Sequence, residues 1–114
     1  MAFDAKVRDN DGLAVLGLNG EIDASAEEAI NAGYEEATKN NPAFVLLDFG
    51  NVSYMNSTGI ALIVGLLAEA RGADRKMLVC GLTEHYKDIF EITRIVDFVT
   101  IVENEAAAVT RSKT

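Results

Sequence analysis

The chain has 114 residues and a formal net charge of −8, and its length predicts one domain, residues 1–114, with a core of its own. The acidity argues against nucleic acid as a partner, since phosphate backbones bind basic surfaces, and the longest apolar stretch, residues 60–68, is about half of a membrane span. No signal-peptide pattern opens the sequence and the single cysteine excludes an internal disulfide, so we expect a cytoplasmic protein that does not enter a membrane.

The first third of the chain predicts a β-hairpin followed by a helix. Residues 5–8 and 13–18 are expected to be strands, because a turn signal, the dipeptide DG, separates two stretches with strand patterning. Ser25 is the predicted N-cap of a helix in which apolar and small residues recur at helical spacing. That helix should end before Pro42, because the residue preceding a proline avoids helical geometry.

The rest of the chain predicts three further strands and three further helices. The strands are expected at residues 43–47, 77–80 and 98–102. The helices are expected at residues 57–71 (ending at Gly72), 84–92 and 105–109, with a loop at 48–55 and a disordered tail at 110–114. Strands joined by helices favour parallel pairing. The order therefore predicts an α/β fold, a small mixed sheet that opens with an antiparallel hairpin and continues with alternating strands and packed helices.

Small and polar residues separate two of the most apolar segments of the chain in the sequence YMNSTGI, residues 54–60. They come where a buried strand is predicted to lead into a buried helix. In α/β folds, functional sites usually lie just beyond the carboxyl ends of the strands. A helix N-terminus offers free N–H groups and partial positive charge, so a serine here is well placed to carry a phosphate. The alternative is structural, because Ser, Thr and Asn are preferred helix caps and Gly59 allows close packing.

Three isolated residues also have defined expectations. Asp23 is predicted either to contact a partner or to cap the first helix. His85 has no Ser or Cys partner in a motif and is predicted to be a surface residue at a helix start. Cys80 closes an apolar strand and is predicted to be a buried structural thiol. Since no carboxylates share a metal-ligand spacing and no Gly-rich phosphate loop is found, we predict no metal, cofactor or catalytic residue.

The segment DFGNVSYMNSTGIALIVGLL, residues 48–67, resembles the signature of bacterial anti-sigma factor antagonists, the STAS-domain proteins. Two weaker similarities support it: LNGEID at residues 18–23 resembles the entry to the family's first helix, and FEITRIVDF at residues 90–98 resembles the exit from its third. The resemblance covers most of the chain, and the family's fold agrees with the order of elements predicted above.

The resemblance implies a protein that binds an anti-sigma factor which is also a serine kinase, and thereby releases a sigma factor. Phosphorylation of the motif's serine abolishes binding in the family, and a phosphatase restores it. Carried over, the acceptor is Ser57, with Asp23, Asn56, Thr58 and Gly59 around it on the partner-facing edge. Thr58 is a second candidate acceptor, since its hydroxyl has similar chemistry. The protein would be a kinase substrate and not an enzyme, and ATP and magnesium would belong to the partner.

One residue departs from the family pattern, because Asn56 stands where the family usually has aspartate. Asparagine can cap the helix but supplies no negative charge. This departure keeps open a STAS protein that is never phosphorylated, either a scaffold subunit of a stress-sensing assembly or a subunit of a lipid transport complex. A third reading, an enzyme or nucleotide-binding protein, predicts clustered catalytic residues or a phosphate-cradling loop, and the sequence has neither.

Overall fold

The computed structural model describes residues 3–113, which fold as one mixed five-stranded sheet with four α-helices. The strands are β1 (Asp4–Asn10), β2 (Leu13–Ile22), β3 (Phe44–Met55), β4 (Lys76–Cys80) and β5 (Thr100–Ile101). The helices are α1 (Glu27–Ala37), α2 (Ser57–Gly72), α3 (Glu84–Ile92) and α4 (Glu105–Ser112). The sheet order is β1-β2-β3-β4-β5, with β1 antiparallel to β2 and every other pair parallel. The predicted α/β fold class is confirmed.

The sheet has an apolar cluster on each face, because successive side chains of a strand point to opposite faces. The larger cluster lies under α1, α2 and α3 and includes Leu16 and Leu18 of β2. The smaller cluster lies under α4 and includes Leu13 and Val15 of the same strand, together with Ala108 of the helix. Among residues 3–113, no helix combines the length and the apolar character that crossing a membrane would need.

Strand β3 is longer than the sequence predicts. We expected a strand at 43–47 followed by a loop at 48–55, whereas the strand continues unbroken to Met55. Its second half pairs with β2 through two irregularities in register, and most of its residues there are exposed or partly exposed. The polar residues that suggested a loop are therefore accommodated within the strand, where Asn51 donates a side-chain hydrogen bond to Asn19 at 3.0 Å.

Two other boundaries differ from prediction. Ser25 is not the N-cap of α1 but lies within a 3₁₀ turn, Ala24–Ala26, that leads into the helix. The last strand is shorter than the predicted 98–102, because Phe98 closes another 3₁₀ turn, Ile95–Asp97, by donating its backbone N–H to the carbonyl oxygen of Ile95. A chain engaged in such a turn cannot also extend along the neighbouring strand.

The chain ends in a longer helix than the sequence predicts. We expected a helix at 105–109 and a disordered tail at 110–114, whereas α4 continues to Ser112. The ammonium group of Lys113 lies 3.2 Å from the carboxylate of Asp11, so the end of the helix is tied to the β1–β2 turn. The prediction of disorder is wrong for residues 110–113, and the last residue of the chain lies outside the described range. Helix α2 is also longer, since Gly72 is its last residue.

Candidate functional site

The N-terminus of α2 lies where two parallel strands, β2 and β3, end side by side. Ile22 and Met55 are paired in register as the last residues of these strands. The next backbone N–H of the chain, that of Asn56, donates to the carbonyl oxygen of Ile22 at 3.3 Å. The turn into α2 is thus fixed to the neighbouring strand, as expected for a site at the carboxyl edge of a parallel sheet.

Asn56, rather than a hydroxyl residue, caps α2. Its side-chain oxygen accepts the backbone N–H of Gly59 at 2.8 Å, and its carbonyl oxygen accepts that of Ile60 at 2.9 Å. Ser57 and Thr58 occupy the first two helical positions and are exposed. The Ser57 hydroxyl forms no hydrogen bond with any of residues 3–113. The capping explanation of YMNSTGI therefore holds for Asn56 but not for Ser57.

Gly59 is the point at which α2 touches the sheet. A Cβ atom at this position would lie 1.8 Å from the carbonyl oxygen of Ile22 and 2.6 Å from its carbonyl carbon. Backbone atoms cannot move aside as the end of a side chain can, so only glycine allows this approach. The predicted close packing at Gly59 is confirmed, and the residue is buried.

Tyr86 is a residue of this site that the sequence analysis missed. It projects from α3 and is 9% exposed, and its hydroxyl accepts the backbone N–H of Met55 at 2.8 Å. The same hydroxyl lies 3.4 Å from the Met55 carbonyl oxygen, to which it donates. Nothing in the local sequence indicates a hydrogen-bond partner 31 residues away along the chain. Its contact holds the end of β3 immediately before the capping residue.

Asp23 lies directly after β2, beside the entry to α2, and caps its own 3₁₀ turn. Its carboxylate accepts the backbone N–H of Ser25 at 2.9 Å and also the Ser25 hydroxyl. The hydroxyl hydrogen bond, with the backbone one beside it, lowers the pKa of Asp23 from its ordinary value. Asp23 thus caps the 3₁₀ turn that leads into α1 and not α1 itself, whose N-cap position is Ala26, and the contact of Asp23 with a partner stays a prediction.

The two other singled-out residues lie as predicted. His85 is exposed in the first turn of α3, with its ring beside that of Tyr86. Cys80 is 5% exposed at the end of β4, and its sulfur lies 3.8 Å from an oxygen of Asp48. Burial, followed by the nearby Asp48 carboxylate, raises the pKa of the Cys80 thiol to about 11. A thiol with this pKa stays protonated at neutral pH, which fits a structural residue.

Comparison with known proteins assigns the family. The STAS domain profile matches residues 4–108, and the chain is 30% identical over 107 residues to the anti-sigma-B factor antagonist of Listeria monocytogenes, covering 92% of this chain and 93% of the relative. The fold and the site at the start of α2 thus define a STAS domain. The chain belongs to the STAS-domain family of anti-sigma factor antagonists.

Solved structures share the same fold. An anti-sigma factor antagonist from Mycobacterium paratuberculosis superposes with a TM-score of 0.84 at 18% identity, over 99% of this chain and 96% of that one. The anti-sigma factor antagonist SpoIIAA in its unphosphorylated form gives a TM-score of 0.74 at 21% identity, over 98% of each chain. Bacillus SpoIIAA in its phosphorylated form gives 0.71 at 22% identity, over 96% of this chain and 98% of that one.

Proposed function

We propose that the protein is an anti-sigma factor antagonist controlled by phosphorylation of Ser57. In its unphosphorylated state it binds an anti-sigma factor that is also a serine kinase, and a sigma factor is released. Phosphorylation ends the binding, and a phosphatase restores it. The protein is then a kinase substrate in the cytoplasm and not an enzyme, and ATP and magnesium belong to the kinase. The antagonist part of this proposal is supported by the names of two similar proteins, the anti-sigma-B factor antagonist of Listeria monocytogenes and the anti-sigma factor antagonist SpoIIAA.

The observation that carries this proposal is the free hydroxyl of Ser57. Because Asn56 supplies the cap, the helix does not need the Ser57 side chain, and the hydroxyl is exposed at the first helical position. A kinase can reach it without disturbing the fold. Thr58 is exposed as well and remains the second candidate acceptor.

The electrostatics of the site support a switch. A phosphate adds a charge of about −1.5 to −2 at neutral pH. The first N–H groups of α2 have no intrahelical acceptor and carry partial positive charge, so the helix end tolerates the new anion in the free protein. In a packed interface the same anion has to be desolvated. A loss of about 2.8 kcal/mol in binding free energy corresponds to about a hundredfold in affinity, which is enough for a switch.

The residues around Ser57 form the partner surface in this proposal. Asp23, Asn56 and Thr58 are exposed or partly exposed beside it. Gly59 is buried against Ile22, so it shapes the turn rather than contacting a partner.

Asn56 supports a second candidate function, a STAS protein that is never phosphorylated. Asparagine caps α2 here through Gly59, but it places no negative charge beside the serine. If the kinase relies on an aspartate at this position to orient or activate the hydroxyl, Ser57 stays unmodified. The protein would then serve as a scaffold subunit or as a subunit of a lipid transport complex.

The test is intact mass and binding affinity after incubation with the candidate anti-sigma kinases of the same genome, ATP and magnesium. Wild type is expected to gain one phosphate and to bind its kinase about a hundredfold more weakly afterwards. Ser57→Ala removes the acceptor, and Thr58→Ala is the matched control, since it removes the neighbouring exposed hydroxyl. Asn56→Asp restores the usual family residue and shows whether the asparagine slows the reaction.

The outcomes separate the candidates. One phosphate that is lost in Ser57→Ala and kept in Thr58→Ala supports the proposal. If wild type binds a kinase stably but gains no phosphate, and Asn56→Asp does gain one, the protein is an antagonist that is no longer controlled by phosphorylation. If wild type gains no phosphate and binds none of the candidate kinases, the antagonist role is overturned and the scaffold or transport function is favoured.

A further inference from the structure

An apolar cavity of about 490 Å³ lies between the C-terminal half of α2 and the Ile95–Asp97 turn. Its walls are mainly aliphatic, and two apolar side chains at its rim are well exposed, Val64 at 44% and Phe98 at 50%. The lining residues are Val64, Leu67, Ala68, Arg71, Gly72, Thr93, Ile95 and Phe98. The volume falls within the range of small-molecule sites, which are predominantly apolar and carry a few polar groups.

A polar cavity of about 310 Å³ adjoins the apolar one and shares Leu67, Arg71 and Phe98 with it. Its charged lining consists of three cationic and two acidic residues: Arg71, Arg75, Lys76, Asp74 and Asp97. The sum of these formal charges is +1, on a chain whose net charge is −8. The two cavities are open to solvent and together form an apolar groove that continues into a polar one.

Arg71 stands at the boundary between the two cavities. Its guanidinium lies 5.2 Å from the centre of the Phe98 ring, and it forms no salt bridge or hydrogen bond with any of residues 3–113. Arg75 differs, because its guanidinium donates to the carbonyl oxygen of Pro42 and to the side chains of Tyr34 and Asn41. The dipole of α2 explains a cation in its last turn, but not one poised over an exposed ring at the mouth of a cavity.

We propose that this site binds a medium-chain fatty acid, with the alkyl chain between α2 and Ile95 and the carboxylate on Arg71. Aliphatic walls fit a saturated chain, and the five N–H donors of a guanidinium match a carboxylate. Of the two guanidinium groups that line the polar cavity, that of Arg71 has no hydrogen-bond or salt-bridge partner among residues 3–113, and one such group matches a monoanion better than a phosphate dianion. Arg71 lies 14 residues along α2 from Ser57, about 21 Å at 1.5 Å per residue, so this site is separate from the proposed phosphorylation site.

The test is an NMR titration of isotope-labelled full-length protein with hexanoate, octanoate and decanoate, kept below the concentrations at which they form micelles. We expect saturable shifts of the methyl signals of Val64, Leu67 and Ile95. Affinity should rise about fourfold for each added CH₂ group. Octanol, which has the chain of octanoate without its charge, should bind more weakly.

Variants assign the two halves of the site. Arg71→Gln should weaken octanoate binding about tenfold and leave octanol binding unchanged, because a hydrogen bond to a charged group is lost. Ala68→Leu should fill the cavity and abolish binding of both probes. Ala61→Leu is its matched control, since Ala61 is exposed on the same helix but does not line the cavity.

Several results would overturn the proposal. Octanol binding as tightly as octanoate would show an apolar surface without anion recognition. Shifts that do not saturate, that map elsewhere, or that persist in Ala68→Leu would place binding outside the cavity. A dimer that dissociates in Ala68→Leu but not in Ala61→Leu, detected by sedimentation, would identify the occupant as a second copy of the chain.

Discussion

The two ends of α2 are built in opposite ways. At the N-terminal end the backbone is fixed on several sides: Asn56 caps the helix, Gly59 touches the backbone of Ile22, and Tyr86 holds Met55. At the C-terminal end the backbone closes with ordinary turn hydrogen bonds, but the Arg71 guanidinium forms no hydrogen bond or salt bridge with any of residues 3–113 and lies over the Phe98 ring beside an open cavity. The fixed backbone holds the exposed Ser57 and Thr58 at defined positions in the first turn of α2. The open apolar cavity at the other end is suited to a small apolar ligand, such as the alkyl chain of the proposed fatty acid.

The largest expected effect comes from disrupting the close contact between Gly59 and Ile22 at the N-terminal end of α2. Gly59→Ala places a methyl group against the Ile22 carbonyl, so we expect a loss of about 3 kcal/mol in the free energy of unfolding, measured with urea. Gly65→Ala is the matched control on the same helix, because a Cβ there meets nothing within 4 Å. The control should gain about 0.5–1 kcal/mol from lower backbone entropy in the unfolded chain. Equal stabilities of the two variants would show that α2 does not depend on this close approach.

A smaller effect should follow from removing the Tyr86 hydroxyl. Tyr86→Phe leaves the buried N–H of Met55 without its acceptor, at a cost of about 2 kcal/mol in the free energy of unfolding. Tyr54→Phe is the control, since Tyr54 is 49% exposed and its change should stay within about 0.5 kcal/mol. Hydrogen exchange at Met55 should accelerate only in Tyr86→Phe. Unchanged exchange there would mean that the hydroxyl does not hold the end of β3.

The sequence predicted the elements of the fold better than the contacts between them. Apolar spacing located every helix and strand, but the polar residues in the second half of β3 were mistaken for a loop because they break the apolar pattern. Hydroxyl residues and a glycine marked the start of α2, and local chemistry allowed either Asn56 or Ser57 to be the cap. Only the three-dimensional structure brings Tyr86 to Met55, since 31 residues separate them and no local pattern encodes the pairing.

Nothing in the sequence indicated the cavity at the C-terminal end of α2. Val64 and Ala68 belong to a helix that is apolar almost all round, so periodicity could not tell its covered residues from its exposed ones. Phe98 was expected to begin a strand, whereas it closes the turn that faces the cavity. The turn closes through the hydrogen bond from Phe98 to Ile95, and both of these residues line the cavity.

The smallest expected effect concerns the carboxylate of Asp23, which lies beside the N-terminal end of α2. The Ser25 hydroxyl is the main cause of the lowered pKa of Asp23, so Ser25→Ala should raise that pKa toward the ordinary value of 3.8. A carboxyl pKa that is lowered on folding stabilises the fold above the unfolded pKa, and this contribution disappears as the pH falls through the folded pKa. Ser25→Ala should therefore make unfolding less dependent on pH below about pH 4.

The measurement for this pair is a carbon-13 NMR titration of the Asp23 carboxyl group. Ser53→Ala is the control, because it removes an exposed hydroxyl from β3 and should leave the pKa of Asp23 unchanged. The backbone N–H of residue 25 also donates to Asp23 at 2.9 Å. If Ser25→Ala and Ser53→Ala titrate alike, that backbone donor alone sets the charge next to the N-terminus of α2, and the acidic surface offered to a partner does not depend on the serine side chain.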